Sequence, residues 1–133
     1  MPVKILNFPK ITDPRGNLTF IQNPTHIPFE IKRIFWSVPQ SKEQAPVGLA
    51  RKQEQEIIVA LKGSFDVIVT GVNDSSEKFT LSSPHHGLYL PASTWRHIEN
   101  FSPGSMAFHL CSLKDNTDDH VNNFETFINK VAK

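Results

Sequence analysis

The sequence predicts an all-β fold of barrel or sandwich type, and three observations predict it. Apolar and β-branched residues gather in runs of strand length. Those runs are separated by turn residues, with ten prolines spread along the chain. Helical spacing of apolar residues appears only near the C-terminus. Many short strands at close spacing, without intervening helices, are the pattern of a closed or two-layered antiparallel architecture.

The elements follow in order. Residues 18–22 and 31–38 are β-rich and bounded by Pro, Asn and Gly. Residues 56–61 form a dense apolar run that ends in Lys62-Gly63, a turn. Residues 64–70 alternate, with Phe65, Val67 and Val69 on one face and Asp66, Ile68 and Thr70 on the other, as a strand's period of two requires. The polar stretch 72–76 is a loop before a strand at 78–81. Residues 87–90 lead into Pro91, and 106–113 form a further strand. At the C-terminus Val121, Phe124, Phe127 or Ile128, and Val131 recur at steps of three and four, so a short α-helix is expected there, with Asp118 and Asp119 capping its start. Its apolar stripe is a packing face against the barrel.

A chain of 133 residues is expected to form one domain, 1–133, large enough to bury a core without disulfides or metal. A formal net charge of +1 supplies no field for nucleic acid or an anionic membrane, so an anion site must be local. The lone cysteine, Cys111, excludes an internal disulfide and a cysteine zinc cluster. It lies in an apolar run, which favours a buried inert thiol. The first ten residues lack the apolar core of a signal peptide, and no apolar run approaches the ~20 residues of a membrane span. A cytoplasmic location is the expectation.

Two spacings carry chemistry. Leu49-Ala50-Arg51 is followed by four residues and Glu56, then by six residues and Gly63. Further on, Pro91-Ala92-Ser93-Thr94-Trp95-Arg96 is followed by three residues and Asn100. These match the internal spacing of the two cupin motifs, in which two histidines, a glutamate and a third histidine point into a barrel and hold a divalent metal. Here Leu49, Arg51 and Arg96 stand at the histidine positions and Ser93 at a glycine. Only Glu56 survives of the four ligands. The expected fold is therefore a jelly-roll-like cupin β-barrel with no metal and no other cofactor.

A more specific resemblance extends over nearly the whole chain. The segments Asp13-Pro14-Arg15-Gly16-Asn17-Leu18, Ile27-Pro28-Phe29-Glu30-Ile31-Lys32-Arg33-Ile34-Phe35-Trp36 and Glu56-Ile57-Ile58-Val59-Ala60-Leu61-Lys62-Gly63-Ser64 carry it. So do Gly87-Leu88-Tyr89-Leu90, Trp95 with Phe101, and Phe124 with Phe127. The chain resembles the WxcM-like cupins, sugar 3,4-ketoisomerases that act on thymidine diphosphate-linked 4-keto-6-deoxyhexoses. The resemblance implies a metal-independent barrel, a nucleotide-sugar ligand, and a homodimer, often with exchanged N-terminal strands. It also implies an R-G-x-H-A-H-K segment whose histidines move protons between sugar carbons. This chain has Pro46-Val47-Gly48-Leu49-Ala50-Arg51-Lys52 there, without either histidine. The histidine expected after the tryptophan is Arg96, and the expected tyrosine pair is Phe35-Trp36.

Each candidate residue has a plain structural alternative. Arg51 and Arg96 suit a phosphate or carboxylate in a bidentate way, or pair with Glu54, Glu56 or Glu99. Arg15 and Arg33 suit a pyrophosphate, although Asp-Pro-Arg-Gly also reads as a surface turn, and only one of Lys32 and Arg33 can face inward. Trp36, Phe35 and Trp95 suit a base or sugar ring, or are core. His97 is a residue type suited to general-base work but sits one residue from the family position, which turns it to the opposite face. His85 and His86 read as loop histidines. His26, His109 and His120 have no partner at ligand spacing.

Three functions compete. The first is a module that binds a nucleotide sugar or another anionic small molecule and has lost its catalysis. The second is an active isomerase whose acid and base come from Glu54, Glu56, Tyr89 or His97, with Arg51 steadying an enediolate. The third, a metal cupin such as a dioxygenase, is disfavoured by the missing histidines.

Overall fold

In the computed structural model the described residues are 3–13, 16–19, 27–38, 50–51, 53–71, 75–114 and 120–121. Every regular element among them is a β-strand. The strands are β1 (Lys4–Asn7), β2 (Lys10–Asp13), β3 (Gly16–Thr19), β4 (Arg33–Ser37), β5 (Ala50–Arg51) and β6 (Glu56–Lys62). They continue as β7 (Phe65–Thr70), β8 (Ser76–Leu81), β9 (His86–Leu90), β10 (Trp95–Glu99), β11 (Met106–Cys111) and β12 (His120–Val121).

All pairings are antiparallel. A five-stranded sheet runs β1-β9-β6-β11-β4, and a three-stranded sheet runs β10-β7-β8. The pairs β12-β5 and β2-β3 complete the set. This is the expected jelly-roll-like cupin architecture, with an apolar interior between the two main sheets. Ile58 and Ala60 from β6, Leu88 and Leu90 from β9, and Ala107 from β11 meet Phe65, Val67 and Leu81 from the smaller sheet. The alternation at 64–70 is real, since Phe65 and Val67 are fully buried in this interior. A second cluster covers the outer face of the large sheet, where Phe8, Ile27 and Phe29 pack on Ile57, Val59, Tyr89 and Leu110. Strand β6 is therefore buried on both faces, which explains why its sequence is a continuous apolar run rather than an alternating one.

Two motif positions are explained by backbone geometry. Gly63 has φ +72°, and a Cβ there would come within 2.7 Å of the Ser105 Cβ. Glycine is the residue that accepts both conditions at the β6–β7 turn. Ser93 and Asn100, where the second cupin motif carries Gly and Asn, have φ of 62° and 59°. Asn100 uses its bend to donate from Nδ2 to Asp66 Oδ2 at 3.1 Å.

The expected helix begins at Val121, which the structure places in β12 paired with Ala50. A strand partner overrides the helical spacing at that residue; Phe124, Phe127, Ile128 and Val131 lie outside the described residues. Strands β1, β2, β5 and β10 were not expected, because runs this short that mix charged residues with one or two apolar ones carry little periodic signal.

Asp66 gives the fold a pH signature. It accepts from the Thr80 hydroxyl at 2.6 Å and from Asn100 at 3.1 Å. The Thr80 bond, opposed by desolvation and helped by Asn100 and Lys78, holds its carboxyl below the ordinary 3.8. A carboxylate with a depressed folded pKa stabilises the fold above its unfolded pKa and loses that contribution as pH falls through the folded one. Asp66→Ala is expected to cost about 1–2 kcal/mol in urea unfolding at pH 7. The gap to the unsubstituted protein should be constant above about pH 5 and shrink below 3.8. A gap that widens on acidification would contradict this account.

Candidate functional site

The interior has an apolar end and a polar end, and strand register decides which residues share the polar one. On β6, Glu56 faces the same way as Ile58 and Ala60, into the barrel. On β11, Cys111, His109 and Ala107 pair with Glu56, Ile58 and Ala60 respectively. On β4, Arg33, Phe35 and Ser37 pair with those same three β11 residues. From the smaller sheet, Arg96 pairs with the inward Val69. Period two then gathers Arg33, Glu56, Arg96, His109, Phe35 and Ser37 on the inner surface.

Glu56 is the centre of this group. Its Oε2 accepts from Arg96 Nη2 at 2.6 Å, with both side chains buried. Its Oε1 lies 3.1 Å from His109 Nδ1. His109 is 6% exposed, stacks on Phe35 at 4.2 Å and 6°, and brings Nε2 to 3.4 Å from Ser37 Oγ. Ser37 is exposed, so the cluster reaches solvent past that hydroxyl. A carboxylate can only accept, so the neutral imidazole carries its hydrogen on Nδ1 and leaves the Nε2 lone pair for the Ser37 O–H.

A second carboxylate lies beside the first. Glu54 is buried, with Oε1 3.2 Å from Arg33 Nη2. The same guanidinium group donates to Cys111 Sγ at 3.4 Å and sits 5.3 Å from the Phe35 ring centre. Each interior carboxylate thus has a guanidinium, which a buried charge needs.

The other candidates are placed elsewhere. Tyr89 faces the outer side of the large sheet, where its hydroxyl donates to Gln55 Oε1 at 2.7 Å and burial pushes its pKa up. Trp36 also faces outward, stacked on Phe108 at 6.4 Å. Trp95 and His97 alternate with the inward Arg96 along β10; Trp95 is nonetheless buried, as its core alternative required, and His97 is partly exposed, 3.5 Å from Glu99. Arg51 contributes its backbone to β5, opposite His120 in β12, and its side chain lies outside the described residues. Arg15 and Leu49 lie outside them altogether. His109 is the interior residue that the sequence reading passed over. The available signal was its position two residues from Cys111 inside an apolar run, but its partner Glu56 is 53 residues away.

Comparison with known proteins agrees with this architecture. The sequence pattern of the FdtA family, described as WxcM-like, C-terminal, matches residues 1–132. The chain belongs to that family. Among curated FdtA relatives, it is 34% identical over its whole length to a TDP-4-oxo-6-deoxy-alpha-D-glucose-3,4-oxoisomerase from Aneurinibacillus thermoaerophilus, 95% of which is covered. Among solved structures, a 3,4-ketoisomerase from Helicobacter canadensis superposes with a TM-score of 0.91 at 30% identity, covering 100% of this chain and 99% of the other. The ketoisomerase QdtA from Thermoanaerobacterium thermosaccharolyticum also reaches 0.91, at 26% identity, covering 97% and 93% of the two chains; that structure is a histidine-to-asparagine mutant in complex with TDP-4-keto-6-deoxyglucose.

The shared carboxylate makes a measurable demand on stability. Removing one partner of a buried ion pair strands the other, at a cost of about 3–5 kcal/mol. Arg96→Ala is expected to fall in that range by chemical denaturation. The double variant Glu56→Gln with Arg96→Met should recover most of the loss, because a neutral amide still offers His109 an acceptor. Equal destabilisation by the single and the double variant would show that the pair is not coupled.

Proposed function

We propose that this protein binds a thymidine diphosphate-linked 4-keto-6-deoxyhexose, or a closely related anionic nucleotide sugar, and that the family's histidine chemistry is lost or altered in it. The observation that carries this reading is the combination of an end-to-end ketoisomerase match with a sequence that has Leu49 and Arg51 where the family pattern has histidines. The named substrates of the relatives supply the ligand class. Arg33 and Arg96 stand on the inner wall paired with Glu54 and Glu56, and a guanidinium carries further N–H groups that suit an anionic ligand. Arg15 and Arg51 are proposed as further anion contacts. At the family's acid–base positions, Leu49 cannot take a proton and Arg51 is charged under all ordinary conditions.

Metal independence belongs to the same reading. Arg96 stands at a cupin histidine position and directs its guanidinium to Glu56, where a fixed positive charge opposes a cation.

Calorimetry with dTDP and NMR turnover assays with dTDP-4-keto-6-deoxyglucose test the proposal together. Binding is expected, with product forming at least 10²-fold below one turnover per second, the usual minimum cost of a missing general base. Elemental analysis of the same preparation is expected to show no stoichiometric metal. Restoring the histidines as Leu49→His with Arg51→His should raise turnover. Rapid turnover by the unsubstituted protein would instead favour the second reading, an active isomerase with a different acid and base. Absence of binding would remove the nucleotide-sugar reading.

The family resemblance and the outer face of the large sheet support a homodimer. Among the described residues β4 is the edge of that sheet. It presents Ile34 and Trp36 at 48% and 63% exposure, with Val38 beyond its end and Leu61 on β6. An apolar patch on a sheet edge favours pairing with a second copy. Trp36→Lys is expected to shift sedimentation at tens of micromolar toward the monomer while leaving the far-UV spectrum intact. A protein already monomeric at that concentration would exclude the dimer.

A further inference from the structure

We propose that His109 is the proton-transfer residue of this barrel, with Glu56 as its positioning residue and Ser37 as its route to solvent. The inference rests on the nucleotide-sugar reading and names the group that acts there in place of the residues missing at 49 and 51.

Four observations converge on His109. It lies on the inward face of β11, on the same wall as the one cupin ligand position that survives. Its Nδ1 meets the Glu56 carboxylate at 3.1 Å, which fixes the tautomer and leaves the Nε2 lone pair available. That Nε2 is directed at Ser37, whose hydroxyl stands at the exposed end of β4. The ring is held flat on Phe35, so the direction of Nε2 is set by packing on one side and a carboxylate on the other. A histidine with one nitrogen on a buried carboxylate and the other facing a solvent-reachable hydroxyl has the parts of a general base. Arg96 on the far oxygen of Glu56 holds that carboxylate in place.

The step is a reversible deprotonation beside a ketone. His109 Nε2 takes the proton from C3 of the bound 4-keto sugar. The C–H electron pair becomes the C3–C4 double bond, and the carbonyl electrons move to O4, giving an enediolate. Its negative charge falls in the half of the barrel that carries Arg33 and Arg96, where fixed positive groups favour it. The proton on Nε2 exchanges with water by way of Ser37, and return to C3 restores the sugar with a solvent hydrogen. No oxidant, reductant or metal enters the balance.

In D2O, wild-type protein bound to dTDP-4-keto-6-deoxyglucose is expected to exchange H3 faster than the buffer does, read by the loss of the H3 signal in proton NMR. His109→Asn retains an amide where Nδ1 donates to Glu56 and removes Nε2. It should keep dTDP affinity and lower the exchange rate by about 10²–10⁴-fold. Glu56→Gln, whose amide oxygen still accepts from Nδ1 but carries no charge, should lower exchange less than His109→Asn while keeping dTDP affinity, a split that a merely structural contact would not give. His109→Gln serves as the second variant if the Asn form does not fold. Exchange within threefold of wild type in a folded His109 variant overturns the proposal, as does a wild type that binds the sugar without exchanging H3 above the buffer rate. Failure to bind the sugar at all removes the nucleotide-sugar reading and this inference with it.

Discussion

The Glu56 carboxylate is held from two sides, by Arg96 at 2.6 Å and by His109 at 3.1 Å, and those two partners come from opposite walls of the barrel. Arg96 belongs to the three-stranded sheet and His109 to the five-stranded one. One buried anion therefore ties the sheets together at the end where apolar packing gives way to polar groups. The constraint is strict because a buried charge that loses its partner is far more costly than an exposed one. Register brings Arg96 and His109 to the carboxylate, and His109 in turn meets Phe35 and Ser37.

That constraint gives Glu56 partners other than those of the cupin motif pattern. In the motif pattern the glutamate would share a cation with three histidines. Here an internal guanidinium supplies the positive charge, and an imidazole from a strand outside both motifs takes the second oxygen. The interior remains polar and charged, but its charge is permanent and its geometry is set by hydrogen bonds. Arg33 and Glu54 repeat the arrangement one step away, with the guanidinium also reaching Cys111. That end of the barrel is lined by two guanidinium–carboxylate pairs, whose donors and acceptors are placed by strand register.

Much of the fold was legible because strand period and turn chemistry are local. The alternation from Phe65 to Thr70, the Gly63 turn and the dense run of β6 each report their environment through a few consecutive residues. The offset between Arg96 and His97 was legible for the same reason: adjacent residues on a strand face opposite ways, and the pairing with β7 turns Arg96 inward and His97 outward. The helical spacing at the C-terminus gave the wrong element at Val121, because pairing with Ala50 decides that residue and lies 71 positions away in sequence.

The sequence by itself determined the all-β class, the two motif frames, the presence of Leu49, Arg51 and Arg96 where the motif patterns carry histidine, and the family. These rest on residue identity and on spacing within short segments, which physics reads locally. Only the tertiary structure decided which of the surviving polar residues meet. Glu56 finds Arg96 at a separation of 40 residues and His109 at 53. Tyr89 and Trp36, equally plausible from their neighbours in sequence, face outward because the sheet's register assigns them to the other surface. A hydrogen-bonded cluster across two sheets is a property of pairing register and closure, and neither is written in any one strand.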